Sequence, residues 1–233
     1  GREKTESFVP PCIQACRKEK IKDFLFTLWG DDGAYCEFDS ILAGLAYGAE
    51  LAYAGRNNKA AIAKRLTSVC GMSYQTVLDA SNLNAFYGTK ILWDDPILGI
   101  FWKSQGTADR HFWKKAQRHF DPLAARLSRF KGTVKPVDVG HAAVLADYFA
   151  RKIRFKTNLD QAYTRRRTGE LKRLAGEANS MARLADQLMG TFRRQWFRRN
   201  KPQGFEVIQI RLAGQKERWL ELARRLRDLS QNR

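Results

Sequence analysis

Apolar residues change rhythm near Gly55. Before it, Pro10-Pro11 can open a helix, since proline lacks only an N–H that would be unpaired there, and Cys12 to Lys20 reads as a short helix. Phe24-Leu25-Phe26-Thr27-Leu28-Trp29 is nearly continuous in apolar residues, the pattern of a parallel strand buried on both faces. It stops at Gly30-Asp31-Asp32-Gly33. Asp39 or Ser40 can cap the next helix, Ile41 to Tyr53, which ends at Gly55. One strand cannot form a sheet, so its neighbours are expected in another part of the protein.

Beyond Gly55 the helical period dominates. Asn58 to Val69 is predicted as a helix closed by Gly71, and Tyr74 to Leu78 continues it loosely. Asn82 to Gly99 is predicted to be irregular, punctuated by Gly88, Asp94, Asp95, Pro96 and Gly99. Long helices follow over Ala108–Phe130, Val137–Arg166 and Gly169–Arg199. In the second, Val144, Leu145, Tyr148, Phe149, Ile153, Phe155 and Leu159 mark an apolar face. Asn200-Lys201-Pro202-Gln203-Gly204 breaks the third. Phe205 to Leu212 alternates, as an extended segment or an irregular helix start, and Gln215 to Leu229 is a last amphipathic helix. The predicted fold class is mainly α: a terminal βα unit of a (β/α)8 barrel in residues 1–55, then a helical C-terminal domain in residues 56–233.

Composition adjusts this picture. No stretch approaches the length of apolar chain that spans a bilayer, so no membrane span is expected. The start, Gly1-Arg2-Glu3-Lys4, has neither an initiator Met nor an apolar signal region, as in an excised fragment. Cys12, Cys16, Cys36 and Cys70 are expected to be buried or half-buried free thiols, leaning to a reducing, cytoplasmic compartment. His111, His119 and His141 stand at no metal-ligand spacing, so no metal or other cofactor is expected. Of the formal net charge of +18, residues 1–100 contribute 11 Lys+Arg against 12 Asp+Glu, and residues 101–233 contribute 31 against 12. That surplus fits either an anionic partner or long solvated helices.

Chemistry is best placed at Trp29 and Asp31, where the predicted strand meets its loop. In a (β/α)8 barrel this is the face on which active sites assemble. An aromatic there can stack on a sugar ring, and a carboxylate can accept hydrogen bonds from sugar hydroxyls. On spacing alone, a core-capping Trp followed by an aspartate turn into the next helix is the favoured reading.

Phe26 to Ala34, with the helix Leu42 to Tyr53, resembles the eighth strand and helix of glycoside hydrolase family 20, the β-N-acetylhexosaminidases. The likeness continues through Leu92-Trp93-Asp94-Asp95-Pro96-Ile97-Leu98-Gly99. It ends in Trp196-Phe197-Arg198-Arg199-Asn200-Lys201-Pro202-Gln203-Gly204-Phe205-Glu206-Val207, similar to a bacterial branch with a helical C-terminal domain. The resemblance implies that Trp29 forms part of the aromatic wall around an N-acetylhexosamine ring and that Asp31 accepts from its distal hydroxyls. Tyr35 stands where that branch usually has Glu, and Gln203 where it usually has Phe.

The implied reaction is retaining and substrate-assisted, removing terminal β-linked N-acetylhexosamine from glycans. It needs an Asp-Glu pair, and no Asp-Glu dipeptide occurs in the 233 residues. This chain alone is therefore expected to be inactive, with no catalytic residue of its own. Members of the family often form homodimers, and a helical C-terminal domain offers a surface for it. Arg165-Arg166-Arg167, Arg193-Arg194 and Arg198-Arg199, with Phe192, Trp196 and Phe197 among the last two pairs, raise the rival of a nucleic-acid-binding module. At ~100° per residue Phe192 and Trp196 share a face, which suits a core helix, and specific nucleic-acid binding is not expected.

Overall fold

The computed structural model describes residues 2–27, 38–106, 110–131 and 139–231. The described residues form helices with no strand among them, so the mainly helical class holds. Residues 21–27 have no regular structure, unlike the predicted strand, whose last residues lie outside the described region. A strand needs a neighbour to take its N–H and C=O groups. Here Phe26 lies on a helix instead: a Cβ at Gly48 would stand 2.5 Å from its ring, so only glycine admits this contact.

The first helix, α1 (Arg2–Lys18), is longer than expected and runs through Pro10 and Pro11 rather than starting at them. It packs on α2 (Leu42–Ala54), which ends at Gly55 in the left-handed region with its N–H on the Leu51 carbonyl. Neither Asp39 nor Ser40 caps α2: the N-cap is Ile41, without a side-chain bond, and Asp39 is used elsewhere. Two short helices follow, each with a side-chain cap. Asn58 accepts from the Ala61 N–H before α3 (Lys59–Cys70), and Ser73 from the Thr76 N–H before α4 (Tyr74–Ser81).

The stretch expected to be irregular carries α5 (Gly88–Trp93) behind a 3₁₀ turn, and α6 (Ile100–Gly106) follows Gly99. Then come α7 (Arg110–Leu127), α8 (Gly140–Thr164), α9 (Thr168–Arg199) and α10 (Phe205–Ser230). The alternating stretch 205–212 is the first part of one continuous helix. Its buried positions explain why: Phe205, Ile208, Leu212, Gln215, Trp219, Leu222 and Leu226 are spaced three and four apart along α10. On α9, Leu171, Leu174, Ala178, Met181, Ala185, Leu188 and Phe192 repeat the same spacing. Two such seams face each other as in an antiparallel coiled coil.

α9 runs antiparallel to both neighbours. His141 reaches Thr191 across α8 and α9, while Asp186 pairs with Lys216 and Phe192 stacks on Phe205 across α9 and α10. α8 and α10 are consequently parallel, and their side chains meet where Phe155 packs edge-on against Trp219 at 5.0 Å. Six of the seven α8 residues predicted to face inward are fully buried, and Leu159 is partly so. No helix among the described residues is long and apolar enough to cross a membrane.

Candidate functional site

Trp29 and Asp31, together with Tyr35 and Cys36, lie outside the described residues. The surroundings of that segment and the two other family-like stretches are described, and each proves to be a fastening of the helical domain.

The stretch Leu92–Gly99 is clamped between α8 and α10. Lys152, on α8, is buried, and its Nζ donates to the Leu92 carbonyl (3.1 Å), the Asp94 carbonyl (2.6 Å) and Gln215 Oε1 (3.2 Å). All three ammonium protons thus have acceptors. Gln215 Oε1 also accepts from Tyr148 Oη (3.2 Å), which accepts from Trp219 Nε1 (2.9 Å), and Gln215 Nε2 donates to the Trp93 carbonyl (3.2 Å). Burial pulls the Lys152 amine down to about 7, against the opposing pull of Asp94; Lys156 lowers it further and Asp95 raises it. Burial pushes the Tyr148 phenol up.

The two aspartates are fully engaged. Asp94 caps α6, accepting from the Phe101 N–H (2.9 Å) and the Trp102 N–H (3.0 Å). Asp95 accepts from the Ile97 and Leu98 N–H groups and pairs with Arg218 on α10. Its pKa is lowered: desolvation opposes the shift, and the bonds from Arg218 and the two amides outweigh it. Trp102, stacked on Trp113 at 4.0 Å, donates Nε1 to Asp160 (2.6 Å). Lys156 lies over the Trp102 ring and is lowered chiefly by burial. With both aspartates and Lys152 held by hydrogen bonds and ion pairs, this stretch is a structural lock.

The second stretch is the turn between α9 and α10. Trp196 Nε1 donates to the Lys201 carbonyl (2.8 Å), and Phe205 packs among Phe192, Trp196 and Phe197. Gly204 closes the turn at φ +90°, a region other residues rarely enter. Glu206 accepts from its N–H (2.9 Å). Gln203, the departure from Phe, is exposed. Phe192 is buried and Trp196 half-buried as the core-helix reading required, while Phe197 is exposed beneath Arg193.

The third fastening joins distant parts of the sequence. Arg199, the last residue of α9, places Nη2 2.6 and 2.7 Å from the two oxygens of buried Asp39, across 160 positions of sequence. Asp39 stands two residues past the undescribed segment that holds Trp29 and Asp31. Of the thiols, Cys70 and Cys16 are half-buried as expected, but Cys12 is exposed. Among the described residues no group of His, Cys, Asp or Glu could hold a metal ion.

A helical domain organised around these stretches matches a known family: residues 66–233 match the Glycoside Hydrolase 20C C-terminal domain. The chain belongs to that family. No curated protein matches the chain.

Proposed function

We propose that the chain is the C-terminal part of a retaining β-N-acetylhexosaminidase and supplies sugar-binding residues but not the acid. Residues 1–55 are the last helix-strand-helix portion of a (β/α)8 barrel, and residues 56–233 are the helical domain behind it. Trp29 stacks on the N-acetylhexosamine ring and Asp31 accepts from its hydroxyls. The substrate's 2-acetamido oxygen attacks the anomeric carbon while a Glu from an earlier barrel strand protonates the departing oxygen.

Membership in the 20C C-terminal family carries this reading. Two observations support it. The sequence has no Asp-Glu dipeptide. The first region also presents large apolar side chains outward: Phe8, Ile21, Leu25 and Tyr53 are all exposed, as a face made to pack on further barrel strands would be.

The test is hydrolysis of p-nitrophenyl N-acetyl-β-glucosaminide by the 233-residue chain and by a longer product of the same gene read from further upstream. Activity in the longer protein alone is expected, and Trp29→Ala there should depress both binding and turnover, because ring stacking holds the sugar in its reactive distortion. Hydrolysis by the short chain would overturn the assignment of the acid. No hydrolysis by either would overturn the hexosaminidase reading.

A further inference from the structure

We propose that the end of the helical domain formed by the α8–α9 turn and the last turn of α10 is a docking site for anionic polysaccharide. The antiparallel packing places these segments together. His141 opposite Thr191 puts Tyr163 to Thr168 at one extremity of α9, and Asp186 opposite Lys216 brings Arg227 to Gln231 to the same extremity.

Arg165, Arg166 and Arg167 occupy this turn, all exposed, and among the described residues none of the three is in an ion pair. Nearby on the same helices, Arg173 binds Glu170 and Glu177, and Arg224 and Arg225 share Glu221. Glu170 is thus committed to Arg173, leaving Asp228 as the nearby acid on α10 and Arg227 as a further exposed cation. Three consecutive exposed guanidinium groups, whose planar forks fit carboxylate and sulfate oxygens, thus stand together at this end.

The turn's backbone supplies a second observation. The Arg167 N–H bonds the Ala162 carbonyl (2.9 Å), the closure that ends a helix through a left-handed residue, and that residue is Arg166 at φ +49°. Glycine is the local choice at such a position, since a side chain there is strained. Arg166 takes this position in glycine's place, as Lys20 does at the end of α1, so a glycine there would relieve the turn while removing one cation.

Tyr163, 64% exposed beside the arginines, decides among polyanions. One amphipathic ring next to guanidinium groups suits a pyranose face with acidic substituents. Binding single-stranded nucleic acid would call for a series of stacking platforms, and Phe192 and Trp196 are turned into the α9–α10 packing at the far end. Stable seating on a lipid surface would need an apolar face to insert, and among the described residues only Leu229 joins Tyr163 as an exposed large apolar residue at this end.

The 233-residue chain is titrated with chondroitin sulfate, which carries both carboxylate and sulfate, in about 100 mM salt, where charge contacts remain measurable. Saturable binding is expected, falling about tenfold or more in R165Q/R166Q/R167Q and steeply with added salt. R166G should weaken binding without lowering the melting temperature, because it relieves the turn while removing a cation. That separates a binding role from a folding one, even where the triple variant unfolds. Unchanged affinity in R166G and in a folded triple variant would overturn the proposal. So would equal or tighter binding to oligothymidine, or capture by vesicles containing anionic phospholipid with none by the polysaccharide. Binding is read without hydrolysis, so a silent glycosidase assay leaves this site standing.

Discussion

The region before Gly55 and the α8–α10 assembly are both helical and differ in what holds them. In the first, Tyr53 is 91% and Leu25 86% exposed, and among the described apolar side chains only Ile13, Ala43 and Tyr47 are buried. In the second, two facing seams with a three-four spacing exclude water along the whole length of α9 and α10, with the α8 aromatics packed across them. Equal helicity therefore conceals unequal self-sufficiency. Helical stability in proteins comes mostly from burial of an amphipathic face and little from propensity. The later helices have that face within the chain, whereas the earlier ones turn theirs outward.

The largest break in the comparison should come from Trp219→Ala. The ring is fully buried, and its loss leaves a cavity against Phe155 and removes the donor to Tyr148, at a cost of about 3–5 kcal/mol. Tyr53→Ala, on the open face, should stay within about 0.5 kcal/mol. Urea melts of the two variants check the contrast directly, and similar midpoints would abolish it.

Arg199→Ala should sharpen the boundary between the regions. It leaves the buried Asp39 carboxylate without its guanidinium, a loss of about 1–3 kcal/mol confined to where Asp39 packs. Hydrogen exchange should quicken in α2 and stay unchanged in α9 and α10. Uniform quickening would show that the two regions open as one unit.

The smallest effect tests the lock inside the stable region. Folding lowers the Lys152 pKa to about 7, while the unfolded lysine titrates near 10.4. Between those values the unfolded chain binds the extra proton, so this residue's contribution rises with pH from 7 upward, by at most about 1.4 kcal/mol per unit, and is flat below 7. The difference in stability between the wild type and Lys152→Met should therefore grow from pH 7 to pH 9. A difference independent of pH would show that the amine titrates normally.

Much of this was legible in sequence where one period prevailed. The α8 face was readable because Val144 through Phe155 match a single helical stripe. The α9 seam and its partner on α10 carry the same signal, yet Phe205 to Leu212 also fits period two, through Ile208, Ile210 and Leu212. Packing against α9 chose the helix, burying Phe205, Ile208 and Leu212 and leaving Ile210 exposed. The Phe24–Thr27 run misled for the opposite reason, since an apolar run specifies burial and not the partner that makes it a strand. Lys152 and Lys156 follow Tyr148 at four-residue steps on an already apolar face, a signal that the face accommodates charge. Their acceptors are backbone carbonyls some 60 positions earlier, which no local pattern announces. Trp29 and Asp31 were legible only through resemblance, and they lie outside the described residues.

The pairing of Asp39 with Arg199 also sets an order of events during synthesis. The two are separated by 160 positions. At about 5–20 residues per second, Asp39 leaves the ribosome roughly ten to thirty seconds before its partner. Through that interval α2 lacks this tether, and its packing rests on α1, α3 and α4. The clasp closes only as the turn before α10 emerges, so Asp39 is fastened by a residue made long after it.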